Sequence, residues 1–273
     1  MNKKKKLKGA VILKGMAHVL ILFFVFLPIL WGIRTSFAAS TFDLAVIPKK
    51  LTWGNYVAIL HTEAFPKAMK NSLLYALGTI LCLLPIIIPA AYALSRLKFK
   101  GQGFGKILLF IPLLPTIALL IPLSRTLNTL GLINTRFGVV LLCTVFQIPF
   151  TCWMLRNFFV AIPRSVEEAA YVDGCGKGKA LLYIILPNSL TGIVAIMVYS
   201  FVSSWLSYLV PYSIVSFSEL FTLSQTLLMF QGQYGTNYPQ LTAAALMTIL
   251  PPLMFFCVFQ KWFIKGLFGI SSK

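Results

Sequence analysis

The sequence predicts an all-α integral membrane protein with six transmembrane helices and both termini cytoplasmic. Three observations lead there: apolar residues gather in long runs, charged residues are scarce, and basic residues segregate between the runs. Of 273 residues, 58% are hydrophobic and 11% charged, against about 25% charged in a soluble domain. A hydrocarbon core about 30 Å thick takes about 20 apolar residues as a helix. Six runs meet that need: residues 16–33, 72–94, 107–123, 137–155, 189–209 and 240–259. They do not alternate as barrel strands would, so helices are the expected form. No Pro/Gly/Ser linker divides the chain, and residues 1–273 read as a single membrane domain.

The first run follows Lys3, Lys4, Lys5, Lys6, Lys8 and Lys14. With Ser36-x-Ala38 behind it, the stretch also fits a secretory signal. Its length, with Pro28 and Trp31 inside, suits a retained helix. Sidedness follows from the basic residues. A cytoplasmic N-terminus puts 17 of the 24 Lys and Arg inside, including Arg96, Lys98, Lys100, Lys106, Arg156, Arg164, Lys177 and Lys179. Only seven fall outside, which is the positive-inside pattern. The net charge of +18 is therefore placed for headgroups and cytoplasm, and no nucleic-acid partner is expected.

Two external segments are long. Residues 34–71 mix turn residues with Trp53 and Tyr56, and residues 210–239 contain the polar, aromatic stretch from Gly232 to Tyr238. The five cysteines show no metal-ligand spacing and read as reduced, apolar fillers. His18 and His61 stand apart from any acid or cysteine cluster. Neither Gly-rich stretch, 101–106 or 174–179, satisfies the phosphate-loop pattern, because Ile107 and Ala180 follow the lysines where Ser or Thr is needed.

The six acids are Asp43, Glu63, Glu167, Glu168, Asp173 and Glu219, none in a predicted span. A proton-coupled carrier needs an ionisable group within the membrane, so the energy source is expected elsewhere. Three of the six crowd into one cytoplasmic loop, 156–187. There Ser165-Val166-Glu167-Glu168 has the form of a capping box, with Ser165 accepting from the Glu168 amide. Glu167 adds negative charge at the positive helix end. Gly174 offers the left-handed conformation that closes a helix. A second short helix, 176–185, is expected to end before Pro187. The loop thus reads as a bent pair of helices between spans four and five.

At this loop the sequence resembles the EAA motif of binding-protein-dependent ABC importer permeases: Glu168-Ala169-Ala170, then Asp173-Gly174, then Ile184-x-Leu186-Pro187. Cys175 stands where the family pattern usually has Ala, and Leu181 where it has Phe. The likeness extends through Ala91-Tyr92-Ala93-Leu94-Ser95-Arg96 and Leu130-Gly131-Leu132-Ile133-Asn134-Thr135, and is similar to the carbohydrate, maltose-type branch. Departures are Leu206 after Trp205, where the branch usually has Asn, and the ending Gly269-Ile270-Ser271-Ser272-Lys273.

The resemblance implies a non-catalytic permease subunit in a prokaryotic cell membrane. It implies a second homologous permease, two ATPase subunits, an external solute-binding protein and a sugar substrate. ATP and Mg would sit in the ATPase, with no cofactor on this chain. The bent pair would be the coupling helices. Glu168 and Asp173 would be polar anchors, Ala169 and Ala170 a close-contact surface, and Gly174 the bend, with Ile184, Leu186 and Pro187 completing the motif. Glu168 read alone is a cap, and Asp173 a turn residue. The external loop at 233–238 would face the binding protein.

Ser200, Ser203, Ser204 and Ser207 share one face of the fifth span, and Gln147 lies near the middle of the fourth. They read either as lining of a translocation path or as helix–helix contacts. The alternatives to a sugar importer are a permease for another polar solute such as a polyamine, or an ATPase-independent channel or scaffold.

Overall fold

In a computed structural model, the apolar runs are helical, and the chain is described at residues 2–43, 45–98, 103–108, 110–232 and 235–268. In chain order the α-helices are α1 (Asn2–Ser36), α2 (Gly54–His61), α3 (Ala64–Arg96), α4 (Phe104–Ile107), α5 (Thr116–Thr129), α6 (Arg136–Ala161) and α7 (Arg164–Val172). They continue as α8 (Lys177–Ala180), α9 (Leu186–Asn188), α10 (Leu190–Trp205), α11 (Leu209–Tyr212), α12 (Leu223–Leu227) and α13 (Tyr238–Phe268). Two two-residue strands, β1 (Gln231–Gly232) and β2 (Gly235–Thr236), pair antiparallel. The tip between them, Gln233 and Tyr234, lies outside the described residues, as do Lys100, Gly101, Gln102 and Gly269–Lys273 of the stretches noted above.

Among the described residues, four helices are long and apolar enough to cross a membrane: Lys14–Ser36, Ala64–Arg96, Arg136–Ala161 and Tyr238–Trp262. A fifth crossing is available if Lys177–Asn188 and Leu190–Trp205, which meet at 76°, are counted as one broken span. The third apolar run departs from expectation, because it is not one helix. It is divided into α4, a 3-10 turn at Ile111–Leu113, and α5. Leu114 precedes Pro115 and takes φ −71°, ψ 140°, the extended setting that a following proline enforces. The 14 residues of α5 reach about 21 Å at 1.5 Å each, short of the hydrocarbon thickness. Prolines inside the longer helices, Pro28, Pro85, Pro89, Pro149, Pro251 and Pro252, do not end them.

The chain divides into two compact units. The first comprises Met1–Thr62 and Leu227–Ile249. Beyond α1 its loop is knotted by polar and aromatic contacts. Asn55 Nδ2 donates to the carbonyls of Ser36 and Ala38, at 2.8 and 2.9 Å. Phe37, Trp53 and Tyr56 pack on one another with ring centroids 4.7–5.6 Å apart. Arg34 pairs with Asp43 at 2.9 Å. The turn residues and aromatics of this loop thus form one structured cap.

The second unit comprises Glu63–Thr226 and Leu250–Lys273. Here α3, α6 and α10 pack together. One apolar cluster centres on Tyr75, Val139, Leu142 and Ile214. Another centres on Leu83, Ile87, Leu155, Phe159, Ile185 and Ile196. Hydroxyls buried in α6 bond back to their own helix, Thr144 to Val140 at 2.7 Å and Thr151 to Gln147 at 2.6 Å, which satisfies them without water. All five cysteines are free.

Candidate functional site

The loop of 156–187 forms a bent helix pair. Helix α7 begins at Arg164 with Pro163 as its N-cap and no side-chain cap bond. The expected Ser165–Glu168 capping box is therefore absent: the helix starts two residues earlier, and both side chains are left exposed. Its end follows expectation. Gly174 takes φ +79°. The Cys175 amide donates to the Ala170 carbonyl at 2.9 Å and the Gly174 amide to Tyr171 at 3.1 Å, the paired bonds of a Schellman motif.

The second helix runs further than expected. Helix α8 passes into a π-helical stretch, Leu181–Ile185, and then α9. The Leu186 amide bonds the Leu181 carbonyl, five residues back. Pro187 has no amide to give and crowds the carbonyl four residues back, and the wider π turn accommodates it. The break falls at Ser189, φ −106° and ψ 11°, ahead of α10.

Glu167 is buried, at 4% exposure, and is the one buried residue of α7. Its Oε1 accepts from Tyr92 at 2.5 Å and from Tyr171 at 2.6 Å. Its Oε2 lies 3.2 Å from Arg96 Nε. The two phenol oxygens are 3.1 Å apart; with each proton given to the carboxylate, that approach holds no further donor. Arg96 also donates to the carbonyls of Phe159 and Ile162, both at 2.7 Å, at the end of α6. Burial and the Glu167 carboxylate push the Tyr171 phenol above its ordinary value.

Of the motif residues, Glu168, Ala169, Asp173, Gly174 and Pro187 are exposed, and Ala170, Ile184 and Leu186 are half-buried. Val172 at 88% exposure, Leu182 and Tyr183 add an apolar outer surface. The two glutamates thus divide their roles: Glu168 faces outward and Glu167 inward. Sequence reasoning gave Glu167 only a dipole role and missed Tyr92 and Arg96. The available signal was spacing, since Tyr92 and Arg96, like Glu167 and Tyr171, stand four apart and share a helix face.

The serine face also divides. An open cavity of about 280 Å³ has a mostly apolar wall, with Leu119 and Phe146 among its members, into which Gln147, Tyr199, Ser203 and Ser207 bring polar groups. Ser200 and Ser204 are buried instead. Ser204 Oγ accepts from Gln147 Nε2 at 2.8 Å. Gln147 Oε1 and Ser200 Oγ have no hydrogen-bond partner among the described residues. The volume lies near the lower end for small-molecule sites, about 300 Å³.

Helices long and apolar enough to cross a membrane, a bent helix pair and a cavity with Gln147, Ser203 and Ser207 in its wall define a helical membrane protein. A family model, the binding-protein-dependent transport system inner membrane component, matches residues 84–268, and the chain belongs to that family. It is 30% identical to the trehalose transport system permease protein SugB of Mycobacterium tuberculosis, over 93% of this chain and 94% of that protein. It is 28% identical to the diacetylchitobiose uptake system permease protein NgcG of Streptomyces coelicolor, over 90% and 85%. Its fold is similar to a chain of a bacterial ABC transporter involved in the import of the acidic polysaccharide alginate, with a TM-score of 0.81, 23% identity and coverage of 92% and 95%.

Proposed function

We propose that this chain is the permease subunit of an ATP-driven importer for a sugar or oligosaccharide. An external binding protein delivers the solute, and a second, homologous permease and two ATPase subunits complete the machine. The ATPases hold ATP and Mg, and this chain binds no cofactor. The chain crosses the membrane six times with both termini cytoplasmic, the divided third segment forming a broken crossing. The carbohydrate assignment draws support from the relatives' substrates. The cavity wall of Gln147, Ser203 and Ser207 is this subunit's share of the solute path, suited to hydroxyls because its groups are neutral donors and acceptors.

One observation carries the reading: α7 closes at the positive-φ Gly174 and leaves Glu168, Ala169 and Asp173 on an open surface, where an ATPase cleft can seat. A β-branched residue at Gly174 adopts the left-handed conformation at a cost of about 1–2 kcal/mol, which deforms the docking turn. Gly174→Val in the reconstituted importer is expected to keep hydrolysing ATP while solute uptake falls. Normal uptake by that variant would overturn the coupling assignment. A panel of sugars titrated against the cognate binding protein identifies the substrate.

A further inference from the structure

We propose that Glu167, Tyr92, Tyr171 and Arg96 form a latch that makes α7 and the end of α3 one rigid lever. The inference rests on the reading that the helix pair receives motion from an ATPase. It adds which contact delivers that motion to a membrane span.

A short helix tethered only by its flanking loops would pivot when pushed. Helix α7 does not depend on apolar packing to prevent this, because its one buried side chain is a carboxylate. The contact brings two successive turns of α3, at Tyr92 and Arg96, onto the two oxygens of the Glu167 carboxylate, which Tyr171 braces from the next turn of α7. Two turns of one helix holding separate oxygens of one carboxylate set rotation as well as position. Arg96 extends the same grip to the end of α6 through the Phe159 and Ile162 carbonyls. Hydrogen bonds to a buried, ionised group are short and strong, and removing one partner leaves a charge uncompensated. At 33 residues, α3 spans about 50 Å, so a displacement applied at Arg96 reaches well into the bundle.

The test uses the complete importer in proteoliposomes, with Tyr92→Phe and Glu167→Gln, and reads solute molecules moved per ATP hydrolysed. A contact that merely aids folding would lower the yield of assembled complex and leave that ratio alone. The latch requires the ratio to fall about tenfold in both variants, the equivalent of one lost charge-assisted hydrogen bond. An unchanged ratio in the assembled variants overturns it. Should Glu167→Gln not assemble, Tyr92→Phe, which deletes one hydroxyl, decides alone. Gly174→Val in the same assay separates the two readings. If it uncouples while the latch variants do not, only the latch fails; if none of the three uncouples, the coupling-helix reading fails with it.

Discussion

Gly192 lies against the ring of Phe158 so closely that a β-carbon on the glycine would stand 2.4 Å from Phe158 Cγ and 2.6 Å from Cδ2. The contact joins α10 to the last turns of α6. Cγ is the ring atom nearest the backbone, so rotating the ring does not clear the clash. Gly192→Ala is expected to destabilise the subunit by about 1–3 kcal/mol, the cost of overpacking. Gly78→Ala should cost less, since it meets a terminal methyl of Val140 at 2.9 Å. Gly32→Ala, with open space around it, should be near neutral. Thermal unfolding of the purified complex ranks the three.

Gln147 and Ser204 give a second contrast. Ser204→Ala strands the Gln147 amide, whose Oε1 is already unpaired. Leaving a buried donor unsatisfied costs about 1–3 kcal/mol, so this variant should lower the melting temperature. Ser203→Ala strands no such bond and should leave stability within about 0.5 kcal/mol. Its effect should appear in the apparent affinity or rate of labelled-solute uptake. An uptake defect in Ser204→Ala alone, with Ser203→Ala and Ser207→Ala both normal, would remove the cavity wall from the solute path.

Much of this was legible in the sequence, and the failures have a common cause. Long apolar runs announce spans, and the Gly174 turn is local chemistry that three or four residues determine. The third run misled because hydropathy counts Pro112 and Pro115 as ordinary neighbours, while the backbone tightens to a 3-10 turn around the first and is extended just before the second. Pro187 misled in the other direction: a proline usually ends a helix, but a π turn absorbs it here. Glu167 and Glu168 are chemically identical and adjacent. Which one turns inward depends on where Tyr92 and Arg96 stand, 75 and 71 positions from Glu167. Likewise the serines share a face by spacing, yet only packing decides that Ser203 and Ser207 meet a cavity while Ser200 and Ser204 meet helices.

Gly174 allows a graded test of conformation against bulk, because a Cβ there meets nothing within 4 Å. The penalty for a side chain is therefore conformational alone. Asn visits the left-handed region far more readily than other non-glycine residues. Gly174→Asn should keep most of the solute-to-ATP ratio, Gly174→Ala less, and Gly174→Val least. Equal loss in all three would point to contact with the partner surface, not backbone strain, as the reason for glycine.

Asp43 makes the loop between α1 and α2 pH-sensitive in a determined direction. The Lys49 amide bonded to its carboxylate lowers its pKa most; burial opposes this, and the Ala45 amide and Arg34 guanidinium lower it further. The bonds are 2.8 Å from Lys49, 3.2 Å from Ala45 and 2.9 Å from Arg34. A carboxylate whose folded pKa is depressed stabilises the fold above its unfolded value, about 3.9, and loses that contribution as pH falls through the folded value. Amide protection at Ala45 and Lys49, corrected for intrinsic exchange, should thus be flat from about pH 5 to 8 and should fall below about pH 4. Asp43→Asn keeps one acceptor but not the charge. It should expose at least one of the two amides across the whole range and abolish the acid transition, whereas a transition that persists in the variant would assign it to another carboxylate.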